Sequence, residues 1–200
     1  MRLNGNINGS QYSLVVNSDK PLSEILKEQI ITFADNSQCQ GASCGNCIVL
    51  INGNAALSCL LPAFKINGAS ILTFEGFQKT RFCHDIERAY AEIGNQPCPQ
   101  CYPSKTIIIE SILNKVDKEN QNRMSNFAMG NSQGEMQQSQ AAASANEQAA
   151  RSRSGMGNIS TEMIAREMAM SSCQCIEISD LEKIINLAYR FRSRRRARRS

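Results

Sequence analysis

The cysteines constrain the possible fold and function of this chain more than any other residue type. There are nine of them in 200 residues, which is more than core packing alone explains. Four of them occur in one stretch, at Cys39, Cys44, Cys47 and Cys59. The first three have the spacing C-x4-C-x2-C, which matches the ligand pattern of a plant-type [2Fe–2S] cluster. This stretch is therefore a candidate iron–sulfur loop.

The residues between these cysteines suit a loop that wraps a cluster. Gly41 and Gly45 allow tight turns, so backbone N–H groups can point inward at sulfur atoms and stabilise negative charge. Asn52-Gly53 predicts a type I′ hairpin turn that returns Cys59 to the loop. Zinc is the alternative, because four thiolates also make a tetrahedral zinc site. The spacing favours iron–sulfur, since only one pair of these cysteines has the short spacing typical of zinc modules.

A second set of cysteines consists of two pairs far apart in the sequence, Cys98 with Cys101 and Cys173 with Cys175. Each pair directly precedes a predicted helix, and the positive N-terminal end of a helix favours thiolates and an anionic cluster. A helical bundle can bring the two pairs together. Taken alone, C-x2-C with C-x-C is equally compatible with zinc or a redox dithiol.

The ninth cysteine, Cys83, lies beside His84, which is the only histidine in the chain. A Rieske centre needs two histidines, so this chain cannot build one alone. We expect Cys83 to be a partly buried thiol. No nucleophile–base pair and no nucleotide-binding signature stands out, so no catalytic residue is predicted.

Hydrophobic patterning predicts an α+β unit followed by helices. Residues 3–16 indicate a β-hairpin, a helix begins near Pro21, and strands are expected at residues 47–51, 54–59 and 70–74. From Cys83 onward the pattern is helical, with four short helices that suggest a small bundle. Residues 117–158 contain no Leu, Ile or Val, so we expect a low-complexity inserted loop there.

Charge is distributed unevenly along the chain. It carries 22 basic and 18 acidic residues, and seven arginines fall within residues 190–199, so the rest of the chain is mildly acidic. We expect these arginines to form a solvated tail that prolongs the last helix, with nucleic-acid binding as the alternative. No secretory signal or membrane-spanning apolar run is visible, so the expected compartment is the cytoplasm, where thiols stay reduced.

The order of these motifs resembles a known family. Its markers are the first cysteine loop, Ser58-Cys59-Leu60, the run from Gly68 to Ile71, Gly76, His84, and the C-x2-C and C-x-C pairs. Together they resemble the iron–sulfur subunit or domain of the xanthine dehydrogenase/aldehyde oxidoreductase family of molybdenum hydroxylases. The resemblance covers most of the chain apart from residues 117–158 and the arginine tail. It also implies a structural hydrogen-bonding role for His84, which falls where the family has a histidine at the start of a helix.

The resemblance implies a fold and a set of metal ligands. A β-grasp ferredoxin-like domain would occupy residues 1–77. A helical [2Fe–2S]-binding domain, a four-helix bundle, would occupy residues 78–192 with the insertion at about 117–158, and residues 193–200 would form the basic tail. The resemblance also implies two [2Fe–2S] clusters, with Cys39, Cys44, Cys47 and Cys59 as ligands of the first and Cys98, Cys101, Cys173 and Cys175 as ligands of the second.

The function that the resemblance implies is electron transfer within a multisubunit oxidoreductase. Such a chain passes electrons from a molybdopterin-binding large subunit towards an FAD-binding subunit, so molybdopterin and FAD are expected in partner subunits and no substrate-converting site is expected here. The alternatives are a stand-alone ferredoxin and a zinc-stabilised module whose arginine tail binds nucleic acid. A membrane partner is not expected.

Overall fold

The computed structural model describes residues 1–30, 44–130 and 159–197. Within them, five strands form a single mixed sheet with the order β2-β1-β5-β3-β4. β1 pairs antiparallel with β2 and parallel with β5, while β3 pairs antiparallel with both β4 and β5. The strands are β1 (Arg2–Ile7), β2 (Ser10–Val15), β3 (Ile48–Ile51), β4 (Asn54–Leu57) and β5 (Ser70–Leu72).

Two short turns connect the antiparallel hairpins of the sheet. Asn8 and Gly9 join β1 to β2 with φ angles of 53° and 89°, and Asn52 and Gly53 join β3 to β4 with φ angles of 51° and 85°. Two consecutive residues with positive φ define the type I′ geometry, whose twist matches that of the flanking strands. The predicted hairpins, including the Asn52-Gly53 turn, are therefore confirmed.

Two short 3-10 helices, Ser58–Leu60 and Ala63–Ile66, and six α-helices complete the described part of the chain. Pro21 lies directly before the first of them, as its fixed φ favours, and Thr80 caps α3 by accepting a hydrogen bond from the Cys83 N–H at 3.3 Å. Gly94 ends α3 in the left-handed conformation, with φ of 73°. The helices are α1 (Leu22–Gln29), α2 (Phe74–Phe77), α3 (Arg81–Ile93), α4 (Tyr102–Gly130), α5 (Thr161–Met168) and α6 (Ile178–Ala197).

The central strand β3 contributes to two hydrophobic cores. Val49 joins a core with Leu3 and the apolar face of α1, whereas Ile48 and Leu50 join a second core formed by α3, α4, α5 and α6. Successive side chains of a strand point to opposite faces of a sheet, so these cores lie on opposite faces of β3. The sheet is thus covered by α1 on one side and by the helical part of the chain on the other.

Helix α4 is the element that joins the helical part to the sheet. Its buried face packs into the second core, and its polar side chains also contact the β3–β4 hairpin directly. Ser111 Oγ accepts a hydrogen bond from the Ala55 N–H at 2.8 Å, and Asn114 Nδ2 donates to the Gly53 carbonyl at 3.2 Å. These bonds fix the position of α4, and hence of the cysteines at its N-terminus, relative to the hairpin.

Residues 117–130 differ from the expected inserted loop, because α4 continues as a helix to Gly130. The absence of Leu, Ile and Val led to the expectation of a loop, but polar contacts hold this part of the helix. Asp117 is buried and pairs with Arg192 of α6, and Asn120 Nδ2 donates to the Tyr189 hydroxyl at 2.8 Å. Residues 131–158 of the predicted insertion lie outside the described residues.

The C-terminal arginines prolong the last helix as expected, but they are not all solvated. Arg192 is only 1% exposed, and its guanidinium pairs with Glu110 and Asp117 of α4. Arg195 pairs with Asp85 of α3 at 2.6 Å. The expectation of a solvated tail was therefore wrong for Arg192 and Arg195. The pattern of charges along α6 does not show that carboxylates of α3 and α4 lie next to these arginines.

No helix in the three described ranges combines the length and the apolar character needed to cross a membrane.

Candidate metal centre

Four cysteines from two distant parts of the chain meet at the N-terminal ends of α4 and α6. The Cys98 carbonyl accepts hydrogen bonds from the backbone N–H groups of Cys101 and Tyr102, both at 2.9 Å, and this turn leads the chain into α4. Cys173 and Cys175 arrive from the segment that precedes α6. The ligand atoms of Cys98, Cys101, Cys173 and Cys175 all lie within 4.8 Å of one another. The two pairs are thus brought together as a single group of four thiols.

The surroundings of these thiols make them chemically unequal. A hydrogen bond from the Cys101 backbone lowers the pKa of the Cys98 thiol to about 7, so this sulfur is readily available as a thiolate. Burial raises the pKa of Cys101 to about 12 and also raises that of Cys175. The Cys98 N–H lies 3.4 Å from the Cys175 sulfur and donates to it. Metal binding would release protons from the remaining thiols, because metal ligands are thiolates.

The donor set limits the groups that this site could hold. Four sulfurs suit zinc or an iron–sulfur cluster, whereas Mg²⁺ and Ca²⁺ prefer oxygen ligands. The residues therefore fit the cluster that the sequence motif implies, although sulfur ligands alone do not choose between iron–sulfur and zinc.

The first cysteine set is described for three of its four members. Cys39 lies outside the described residues, while Cys44, Cys47 and Cys59 lie within them. Cys47 immediately precedes β3, and Cys59 is the second residue after β4, within the 3-10 helix Ser58–Leu60. The N–H and Oγ groups of Ser58 both donate to the Cys47 carbonyl, at 3.1 and 2.8 Å. The hairpin therefore holds Cys47 and Cys59 at the same end of the sheet, as its turn predicts.

The loop of the first set directly contacts the segment that leads to the second set. Gly45 has φ of 72°, and a Cβ atom placed on it would lie 2.4 Å from the Met170 carbonyl oxygen and 2.6 Å from the Ser171 Cα. Only a residue without a side chain can approach this closely. The sequence indicated a turn at Gly45, but it contained no sign that residues 170–171 pack against it.

The remaining candidates are Cys83 and His84, whose side-chain hydrogen bonds are with neighbouring residues of α3. Cys83 is fully buried, and burial, followed by the charge of Glu87, raises its pKa to about 12, so this thiol is protonated and inert. His84 Nδ1 lies 2.9 Å from a carboxylate oxygen of Glu87, and the imidazole is exposed to solvent. Cys83 is therefore more deeply buried than the partly buried thiol expected from the sequence, and a structural role for His84 stays a prediction. Sequence reasoning missed Lys105, a buried lysine one turn from Cys101.

Comparison with known proteins identifies the kind of chain that carries these sites. No protein-family model matches it. The xanthine dehydrogenase iron-sulfur-binding subunit of Escherichia coli O157:H7 is 36% identical over 109 residues, which cover 54% of this chain and 68% of that protein. The chain belongs to this family of iron–sulfur subunits. The nicotinate dehydrogenase small FeS subunit of Eubacterium barkeri is 26% identical over 113 residues, covering 56% of this chain and 72% of that protein.

Solved structures share the fold of this iron–sulfur subunit. The aldehyde oxidoreductase from Desulfovibrio gigas matches 97% of this chain with a TM-score of 0.63 and 18% identity, and the match covers 17% of that longer chain. A chain of quinoline 2-oxidoreductase from Pseudomonas putida 86 matches 97% of this chain and 96% of its own length, with a TM-score of 0.60 and 19% identity. The predicted α+β class is confirmed.

Family membership also establishes the general role of the chain. It is an iron–sulfur subunit of an oxidoreductase of the xanthine dehydrogenase type, it transfers electrons, and it works with partner subunits. The resemblance inferred from the order of the cysteine motifs is therefore confirmed.

Proposed function

We propose that this subunit carries electrons from a molybdopterin-binding large subunit to an FAD-binding subunit, through two [2Fe–2S] clusters. The convergence of Cys98, Cys101, Cys173 and Cys175 is the observation that supports the proposal most directly, because residues separated by most of the helical region meet as one sulfur-only group. A [2Fe–2S] cluster, once bound, accepts and releases single electrons.

The eight proposed ligands form two separate sets. Cys39, Cys44, Cys47 and Cys59 would hold the first cluster, and Cys98, Cys101, Cys173 and Cys175 would hold the second. No residue of this chain is assigned to substrate conversion, which we place in the molybdopterin subunit. The stand-alone ferredoxin remains a weaker proposal, since a ferredoxin has no need of the second set.

The chain's own residues would keep the two sets close and oriented. The Cys101 backbone donates a hydrogen bond to the Cys98 sulfur, and such donors stabilise negative charge on a cluster. The contact of Gly45 with Met170 and Ser171 brings the loop of the first set against the segment that ends at Cys173. This packing supports electron transfer between the two cysteine sets, because it holds the loop of one against the segment that leads to the other.

We also propose a division of the chain into domains. We assign residues 1–77 to a β-grasp ferredoxin-like domain and residues 78–192 to a four-helix, cluster-binding domain, with residues 193–200 as the basic tail. The mixed five-stranded sheet with α1 on one face supports the first assignment, and the shared core of α3, α4, α5 and α6 supports the second. A cytoplasmic location would keep the ligand thiols reduced before cluster insertion.

Metal analysis of anaerobically purified protein tests the cluster assignment. We expect about four irons and four acid-labile sulfides per chain, and two distinct paramagnetic signals after reduction. Cys173→Ser should abolish one signal and Cys59→Ser the other. Cys83→Ser is the matched control, because it also replaces a cysteine but should keep both signals. Stoichiometric zinc without visible absorption would contradict the proposal.

Affinity purification of the natural complex tests the partners. The proposal requires that a molybdopterin-containing chain and an FAD-containing chain co-purify with this subunit in fixed ratio. Recovery of the subunit with two clusters but neither partner would favour the stand-alone ferredoxin.

A further inference from the structure

Helices α3 and α6 run antiparallel, so the end of α3 lies beside the beginning of α6. Arg195, late in α6, pairs with Asp85, early in α3, at 2.6 Å. Further along α3, the guanidinium of Arg88 lies 4.2 Å above the ring centre of Phe191, an earlier residue of α6. The chain that leaves α3 and leads to Cys98 therefore meets the first turn of α6.

A side-chain hydrogen bond closes this end of the helix pair. Asn95 Nδ2 donates to Asp180 Oδ2 at 2.8 Å, and the bond is partly buried. Asn95 directly follows Gly94, which ends α3, and lies shortly before Cys98. Asp180 lies in the first turn of α6, shortly after Cys175. The bond therefore joins the two chain segments that supply the two cysteine pairs.

The Asp180 carboxylate is a strong acceptor for this bond. Hydrogen bonds from Lys183 and from Asn95 lower the pKa of Asp180 below its ordinary value, so the group is ionised at neutral pH. A hydrogen bond to an ionised acceptor is stronger than one between neutral groups. Lys183 Nζ donates to the other oxygen, Oδ1, at 2.9 Å. Each oxygen thus has its own donor, and either bond can be removed without the other.

The same junction brings thiols of the two pairs into contact. Pro97 is buried, and the N–H of the next residue, Cys98, donates to the Cys175 sulfur at 3.4 Å. Helices α4 and α5 lie between the two segments in the sequence, so the covalent chain does not fix one against the other. A four-sulfur group built from both segments needs a separate contact that does.

We infer that Asn95 and Asp180 are positioning residues for the second cysteine set. Their bond holds the turn that carries Cys98 and Cys101 against the segment that carries the other two ligands. Residues outside the ligand sphere that orient ligands contribute strongly to metal affinity. This inference rests on the proposed function of the second set as a metal centre, but its test requires only the four thiols and does not depend on which metal they bind in the cell.

Cobalt titration of the reduced, metal-free full chain tests the inference. Co²⁺ held by four thiolates has a characteristic charge-transfer absorption, so the titration reports how well the four sulfurs converge. A background with Cys44→Ser and Cys59→Ser leaves only two cysteines in the first set, and the tetrathiolate spectrum then belongs to the second. In this background we expect Asn95→Ala to weaken cobalt binding about tenfold, the lower end of the range for residues outside the ligand sphere.

Two comparisons separate the bond from a general loss of folding. Lys183→Met is the matched control, because it removes the other hydrogen bond to the same carboxylate and should leave cobalt affinity unchanged. Asn95→Asp places two carboxylates against each other and should weaken binding at least as much as Asn95→Ala. Combining Asn95→Asp with Asp180→Asn exchanges donor and acceptor, and should restore the affinity to within about threefold of the background.

The iron-loaded protein gives a second measurement. With a chelator present, Asn95→Ala should shorten severalfold the lifetime of the paramagnetic signal that Cys173→Ser abolishes. The signal that Cys59→Ser abolishes should keep its lifetime, and it serves as an internal control. Iron analysis decides the proposed function and cobalt titration decides the positioning role, so the two can fail separately.

Several results would overturn the inference. Unchanged cobalt affinity in Asn95→Ala would show that the bond does not position the thiols. An equal loss in Lys183→Met would assign the effect to the charge of Asp180 and not to its bond with Asn95. Failure of the exchanged pair to recover affinity would show that the two residues act separately. Absence of a tetrathiolate spectrum in the background protein would show that the four thiols do not assemble.

Discussion

Replacement of Gly45 by alanine tests the contact between the two cysteine sets. Gly45 has φ of 72°, and an added Cβ would lie 2.4 Å from the Met170 carbonyl oxygen and 2.6 Å from the Ser171 Cα. Both neighbours are backbone atoms, so no side-chain rotation can relieve the clash. We therefore expect the loop and the segment before Cys173 to move apart.

The expected loss of stability has two parts. A residue other than glycine in the left-handed region costs about 1–2 kcal/mol. Displacing packed backbone adds about 1–3 kcal/mol, as in overpacked cores. Gly45→Ala should therefore reduce the free energy of unfolding by about 2–5 kcal/mol.

Gly68→Ala is the matched control for this measurement. Gly68 has φ of 77°, but a Cβ on it would meet no atom within 4 Å. The control should therefore lose only the conformational part, about 1–2 kcal/mol. Urea denaturation of both variants and the parent, followed by circular dichroism, gives the free energies of unfolding by linear extrapolation.

The difference between the two variants is the decisive quantity. If Gly45→Ala and Gly68→Ala lose the same stability, residues 170–171 do not pack against Gly45 and the two cysteine sets are not in contact there. The visible spectrum of Gly45→Ala adds a second readout, since separation of the loop from its support should speed the loss of cluster absorption on mild heating.

Three further predictions concern the buried ion pairs and one helix cap. Burial raises the pKa of Glu110 to about 7. Between pH 4.5 and 7 the folded state therefore binds more protons than the unfolded state, so the stability that this group contributes falls as the pH rises through that range. Glu110→Gln should remove that slope, worth up to about 3 kcal/mol, in denaturation curves at pH 5 and pH 8. Arg192→Met leaves Glu110 and Asp117 without their buried partner and should lose about 3–5 kcal/mol at pH 8, but less at pH 5, where Glu110 is protonated. Thr80→Ala removes the acceptor of the Cys83 N–H and should lower the free energy of unfolding by about 1 kcal/mol, measured by urea denaturation.

Each of these predictions has a clear contrary result. An unchanged pH slope in Glu110→Gln would assign the titration to another group. Equal losses for Arg192→Met at pH 5 and pH 8 would show that Glu110 protonation does not relieve the unpaired charge. A stability equal to the parent in Thr80→Ala would show that the cap hydrogen bond is replaced by water.

Local signals in the sequence were sufficient for most elements of the fold. The Asn52-Gly53 turn, the helix after Pro21 and the helices that follow each cysteine pair were all predicted, because turn type, proline position and apolar periodicity act over a few residues. The helix over residues 117–130 was not predicted, because it depends on long-range contacts. Its residues are held by polar partners in α6, and amino-acid composition alone does not show such contacts.

The candidate site was predictable in its ligands but not in its surroundings. Cysteine spacing identified both sets, since metal ligands are few and chemically distinct. The approach of Gly45 to residues 170–171 and the burial of Lys105 could not be predicted, because both depend on how α4, α5 and the first loop pack. The resemblance to a family was decisive for the second set, whose two pairs were ambiguous when taken alone.

The sharing of β3 between two cores has a consequence for modularity. Val49 faces one core while Ile48 and Leu50 face the other, so a fragment that ends at residue 77 would present an uncovered apolar face to water. A fusion protein that uses residues 1–77 as an independent domain would therefore need polar substitutions on that face, or would have to include α4. The two cysteine sets are separate in the sequence, but the regions that carry them share a hydrophobic core and are not expected to fold independently.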